Sequence, residues 1–148
     1  MKSLRKFFAS SAADRRLLIR SAGLVGLVRV GLWLLPFRAV WRLLAKLEQH
    51  GGNSRAAEPT SVDRICQAVR RVSRYIPSAS CLTQALAAKA LLRRSGHDAK
   101  LRIGVTKGGA GDFQAHAWVE IDGRSVIGGS DSQLRRYKGL PELGESQM

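Results

Sequence analysis

Phe113-Gln114-Ala115-His116-Ala117-Trp118-Val119-Glu120-Ile121-Asp122-Gly123-Arg124-Ser125-Val126-Ile127-Gly128 reads as two strands joined by a tight turn. Asp122-Gly123 is a strong two-residue hairpin signal, because both central residues of such a turn need positive φ. The strands are expected over Phe113 to Ile121 and Arg124 to Gly128. Upstream, Ala99-Lys100-Leu101-Arg102-Ile103-Gly104-Val105 alternates apolar and polar residues, as a strand with one buried face does. A glycine-rich loop, Lys107 to Gly111, joins it to the hairpin. Three short antiparallel strands therefore stand close together in the chain.

Before the strands the period is helical. Val62, Ile65, Cys66, Val69, Val72 and Ile76 form one apolar stripe, and Thr60-Ser61-Val62-Asp63 reads as its capping box, with Thr60 over the first turn. Pro77-Ser78-Ala79-Ser80 ends that helix and supplies capping oxygens to the next, Cys81 to Arg94. Ser95-Gly96 ends the second helix behind two arginines. Helices first and a small antiparallel sheet after them make an α+β fold. The tail after Asp131 gives no firm pattern.

The N-terminal third, to about Gln49, reads as two helices hinged at Pro36, followed by a loop at His50-Gly51-Gly52-Asn53-Ser54-Arg55. Two parts are expected: residues 1–59 as basic apolar helices and loop, and residues 60–148 as the core that carries the chemistry. Arg20 and Arg29 cut the apolar run from Leu17 to Phe37 into short pieces, and a spanning helix needs roughly 20 mostly apolar residues. An unbroken apolar block with a small-residue cleavage site, the mark of a signal peptide, is not found. The expectation is a helix docked on the rest of a cytoplasmic protein. The alternative is a membrane-surface helix whose arginines meet lipid headgroups.

The 148 residues fit one domain and include 25 Lys and Arg against 11 Asp and Glu, a net charge of +14. The excess is +8 over residues 1–49 and +6 over the remainder. Such a charge favours an acidic peptide, an anionic membrane or a nucleic acid. Finger spacing, an aromatic ribonucleoprotein motif and a regularly basic helix are all missing, which argues against nucleic acid. Cys66 and Cys81 cannot form a disulfide framework or complete a zinc site, so no metal or cofactor is expected.

Cys81 opens a helix directly behind a cap. Free backbone N–H groups and the positive helix end stabilise a thiolate there, and the same groups can receive an oxyanion. Cys66, within the apolar stripe, reads as a small buried hydrophobe. His116 stands mid-strand, so a thiol on a helix start faces an imidazole on a sheet, the pairing acyl transfer needs. With Ile121 paired to Arg124, His116 falls opposite Gly129. Asp131, two places on, is then within reach of its ring. Asp122 lies about 20 Å from His116 along the strand and Glu120 about 13 Å, at roughly 3.3 Å per residue. Asp131 is the expected third member, with Asp112 in reserve. Trp118, on the His116 face, either packs over the site or belongs to the core. His50 and His97 receive no role.

Four ordered segments carry a resemblance: Cys81 to Leu86, Leu91 to His97, Leu101 to Val105 and Phe113 to Glu120. Together they look like the transglutaminase-like cysteine protease of lasso-peptide biosynthesis, itself similar to the C-terminal domain of the microcin-processing maturation protease. The likeness covers roughly Val62 to Gly129. It implies a papain/transglutaminase-type fold with a Cys-His-Asp triad, Cys81 as nucleophile and His116 as base and then acid. It also implies a ribosomally made precursor peptide as substrate, cut between leader and core. A separate leader-recognition protein and a lasso cyclase similar to asparagine synthetase are the implied partners. Two departures stand out. Gly128 occupies the place after the hairpin where a triad Asp is often expected, and residues 1–59 do not read as a leader-recognition domain. Two other functions fit parts of the sequence: a non-catalytic basic binding protein, and the same thiol chemistry ending on an amine.

Overall fold

The computed structural model describes residues 11–49, 60–109 and 111–140. Among them five helices and four strands follow one another as α1 (Ala12–Leu34), α2 (Phe37–Gln49), α3 (Val62–Ser73), α4 (Cys81–Arg94), β1 (Lys100–Lys107), β2 (Phe113–Ile121), β3 (Arg124–Ile127), α5 (Asp131–Leu134) and β4 (Lys138–Gly139). This is the α+β architecture expected. The loop anticipated at residues 50–55, with His50, lies outside the described residues.

α4 organises the core. Ala85 to Leu92 are all buried, so the helix is covered on every side rather than along one stripe. Its alanines explain how that is possible, because short side chains let neighbours approach from several directions. α1 contributes Val25 and Val28, α2 contributes Val40, Trp41 and Leu44, and α3 contributes Ile65, Cys66 and Val69. The sheet closes the other side with Leu101, Ala117, Val119 and Ile127. The hinge between α1 and α2 forms where Pro36 demands it: Leu35 is extended, at φ −124° and ψ 150°.

One polar cluster lies inside this core. Lys89 on α4 donates to both carboxylate oxygens of Glu48 on α2, at 3.0 and 3.2 Å. Arg93 Nε approaches the same carboxylate at 3.3 Å, and the Lys89 ammonium sits 4.4 Å from the Trp41 ring centre. The pairing satisfies a lysine that burial alone would not tolerate.

The cap of α3 differs by one residue from expectation. Ser61, not Thr60, is the N-cap, and its hydroxyl accepts from Arg64 N–H at 3.4 Å. The third helical residue is then Arg64, so Asp63 does not reach back as a capping-box acid. The Thr60 carbonyl instead accepts from His97 Nε2 at 2.8 Å, which ties the start of α3 to the end of α4.

The sheet is antiparallel in the order β3-β2-β1-β4. Asp122 and Gly123 both take positive φ, 50° and 75°, as the two-residue turn requires. Ile121 pairs with Arg124 as expected, but the register then shifts between Val119 and Glu120. Ile127 consequently lies opposite Val119, not Trp118. The extra residue is a bulge, which twists the strand and re-aims the residues beyond it. Past Asp131, where no pattern was legible, the chain makes the four-residue α5 and the two-residue β4. Elements that short carry no periodicity to detect.

Candidate functional site

Cys81 is the first residue of α4, and its neighbours hold it there. Ser80 is the N-cap, with its hydroxyl accepting from Thr83 N–H at 3.3 Å and its carbonyl from Gln84 N–H at 3.0 Å. The Gln84 side-chain amide donates back to the Ala79 carbonyl at 3.4 Å, fastening the entering turn to the helix. Cys81 and Leu82 N–H groups remain at the head of the helix, where no helical carbonyl precedes them. Two donors and the positive end of α4 therefore stand beside a half-buried thiol.

His116 comes to the same place from the sheet. Arg70, Cys81, Gln84, His116 and the chain from Ile127 to Ser130 line one open cavity of about 640 Å³. The imidazole is held on two sides. Its Nε2 faces the Gly128 carbonyl, which can only accept, so Nε2 is the donor, and in the neutral ring the lone pair then belongs to Nδ1. Two aromatic rings pack beside the imidazole, Tyr137 at 5.3 Å and Trp118 at 6.4 Å between centres, and these two also pack against each other at 6.5 Å. Trp118 is buried against the His116 ring, and its indole N–H donates to Glu120 Oε1 at 2.8 Å.

Two glycines make this arrangement possible. A Cβ on Gly128, whose φ is +105°, would lie 2.6 Å from Trp118 Cβ and 2.8 Å from its Cα. Only glycine can bring its carbonyl that close to β2. A Cβ on Gly104 would lie 2.9 Å from both Tyr137 Cβ and the Trp118 ring, so the bare backbone of β1 seats the two aromatics.

Asp131, the carboxylate expected as third member, is engaged elsewhere. Asp131 Oδ1 accepts from Ser125 N–H at 3.0 Å and joins the start of α5 to β3. The bulge is the physical reason, because it ends the regular pairing on which the proximity of Asp131 and His116 depended. Asp112 closes the β1–β2 loop, its carbonyl accepting from Gly108 N–H at 2.7 Å. Glu120 binds Arg102 Nε at 3.0 Å as well as Trp118. The group that orients His116 in this structure is the Gly128 carbonyl.

Arg70 and Tyr137 were not anticipated. Arg70 Nη2 donates to the Val126 carbonyl at 2.9 Å, bracing the end of β3 just before Gly128 and placing a positive charge on the cavity wall. On α3 it reads as one of several solvated arginines, and Tyr137 lies in the patternless tail. Neither had a local signal.

The second thiol behaves differently. Cys66 is buried on α3, and burial pushes its thiol up to about 11. Among the described residues no group of three or more His, Cys, Asp or Glu side chains could hold a metal ion. Residues 27–141 match the family model described as the transglutaminase-like superfamily. No curated protein and no solved structure matches the chain significantly.

Proposed function

The chain belongs to the transglutaminase-like superfamily, and from that premise we propose that it is a cysteine peptidase. In this reading it removes the leader from a ribosomally made lasso-peptide precursor through a thioester on Cys81. The observation that carries the chemistry is the shared cavity: a thiol at a helix start and an imidazole with its Nε2 proton tied to a backbone carbonyl. The four sequence segments that resemble the lasso-peptide protease carry the choice of substrate.

Substrate binding brings Nδ1 of His116 to the Cys81 thiol, since catalytic hydrogen bonds tighten in the Michaelis complex. Nδ1 takes the thiol proton while sulfur attacks the carbonyl at the leader–core junction. The oxyanion is received by the N–H groups of Cys81 and Leu82. The imidazolium then returns its proton from Nδ1 to the leaving amine, and the core departs with a new α-amino group. A water, deprotonated by the same nitrogen, attacks the thioester and releases the leader with a free carboxylate. Throughout, Nε2–H stays on Gly128, which keeps the ring in the tautomer that both proton transfers need.

The reading includes a cytoplasmic setting, a separate leader-recognition protein that delivers the precursor, and a lasso cyclase that consumes the core amine. The precursor encoded beside this protein, mixed with its leader-binding partner, tests it by intact mass. One cut by the wild type that vanishes in Cys81→Ala is the expected result. A product joined to an added amine, with no hydrolysis, would make the protein an acyl transferase. Cleavage unchanged in Cys81→Ala would remove the thiol from the mechanism.

A further inference from the structure

We infer that α1 docks on an anionic membrane surface, lying along it rather than crossing it, independently of the chemistry at Cys81. The helix is apolar on two opposite sides. One side is spent on the core: Ser21, Val25 and Val28 are at most 1% exposed. The other presents Ile19, Leu27, Val30, Trp33 and Leu34 to solvent, with Trp33 78% exposed. At 100° per residue, positions 16, 20, 27, 30 and 34 fall on one stripe. That stripe begins with exposed Arg16 and Arg20 and continues as Leu27, Val30 and Leu34. The apolar end broadens into a groove in which Val30 and Trp33 meet Ile76 and Pro77, with Arg29 at its rim.

Charge selects the occupant. Asp14, the one acidic residue of α1, is engaged by Arg64 and Ser11, so the helix offers the surroundings only positive charge. A second copy of a chain carrying +14 would be repelled by the arginines beside this face, whereas lipid phosphates would be drawn to them. An exposed Trp beside apolar residues, with arginines a turn or two away, matches the depth profile of a bilayer interface. The 23-residue helix is long and apolar enough to span by length and composition. Its packing forbids that, because spanning would strip Val25 and Val28 from the core and break the Asp14–Arg64 pair that fastens α1 to α3.

Flotation of the full chain with phosphatidylcholine vesicles, with and without phosphatidylglycerol, tests the inference, read together with tryptophan emission. Trp41 and Trp118 are buried, so the change in emission reports Trp33. The wild type is expected to float with the anionic vesicles, to shift its emission to the blue, and to bind neutral vesicles at least tenfold less. Val30→Ser with Trp33→Ser, both on the solvent side, should lose at least tenfold in anionic binding while keeping a folded far-ultraviolet spectrum. Arg16→Gln with Arg20→Gln should lose binding in the same direction. A wild type left in the soluble fraction would overturn the inference, as would equal flotation of the Val30→Ser, Trp33→Ser protein. Dimerisation abolished by the same substitutions, without vesicle binding, would assign the face to a second copy instead.

Discussion

At the residue scale, the group that meets Nε2 of His116 is the Gly128 carbonyl, not a carboxylate. A carboxylate at Asp131 was the expectation, and strand arithmetic would have been right for a regular hairpin. One bulged residue carries Gly128 against β2 and leaves Asp131 on Ser125 N–H. Asp131→Asn keeps an acceptor for that N–H, so turnover should stay within a few-fold of wild type. Were its carboxylate an obligatory triad member, steady-state kinetics would show a loss on the order of 10⁴. His116→Ala, in contrast, should lose at least about 10²-fold, the usual worth of a general acid–base. The two thiols separate as sharply. Iodoacetamide at neutral pH should label Cys81, half-buried at a helix head, and spare Cys66, which is 2% exposed. Peptide mapping that found Cys66 labelled first in the folded protein would contradict these environments.

At the scale of elements, the sequence was most legible where residues repeat with a period. The stripe of α3, the alternation of β1 and the Asp-Gly turn each state a local preference that the fold keeps. The Ser61 cap, the bulge before Ile127 and the two-residue β4 were not legible, because each is decided by neighbours distant in the chain. The Glu48–Lys89 pair belongs to the same class: nothing local to α2 or α4 announces it. Glu48→Gln removes the negative charge from a lysine and an arginine that share it, leaving Lys89 buried against Trp41. Breaking a buried pair this way costs about 3–5 kcal/mol. Urea unfolding of the variant should show a loss of that order, and a change below about 1 kcal/mol would mean the pair is effectively solvated.

Across the whole molecule, stability should depend on alkaline pH with a definite sign. Cys66 in the unfolded chain ionises near the ordinary thiol value of 9.0, whereas in the fold it holds its proton to about 11. Between those values the unfolded state binds fewer protons than the native state, so stability falls as pH rises. Below pH 8 the group contributes no slope. Measured against a Cys66→Ala protein, so that lysine and tyrosine titrations cancel, the wild type should lose stability over pH 9 to 11. Parallel curves for the two proteins would show that Cys66 is not protected. At the acid end, Arg64 and Ser11 hold the Asp14 carboxyl below its usual range. That contribution is present above the unfolded carboxylate value and fades as pH falls through the folded one. The same α1 and α2 that were legible as apolar basic helices thus share one core with the site, and the groups that hold them there lie far from it in sequence.

A thioester on Cys81 is read out by the intact mass of the protein quenched in acid within seconds of mixing with the precursor peptide. Wild type should gain the mass of the leader acyl group, mapped to Cys81, before free leader accumulates, and Cys81→Ala should gain nothing and release nothing. Leader released at an unchanged rate by Cys81→Ala, with no adduct on the wild type, would mean that Cys81 forms no acyl intermediate.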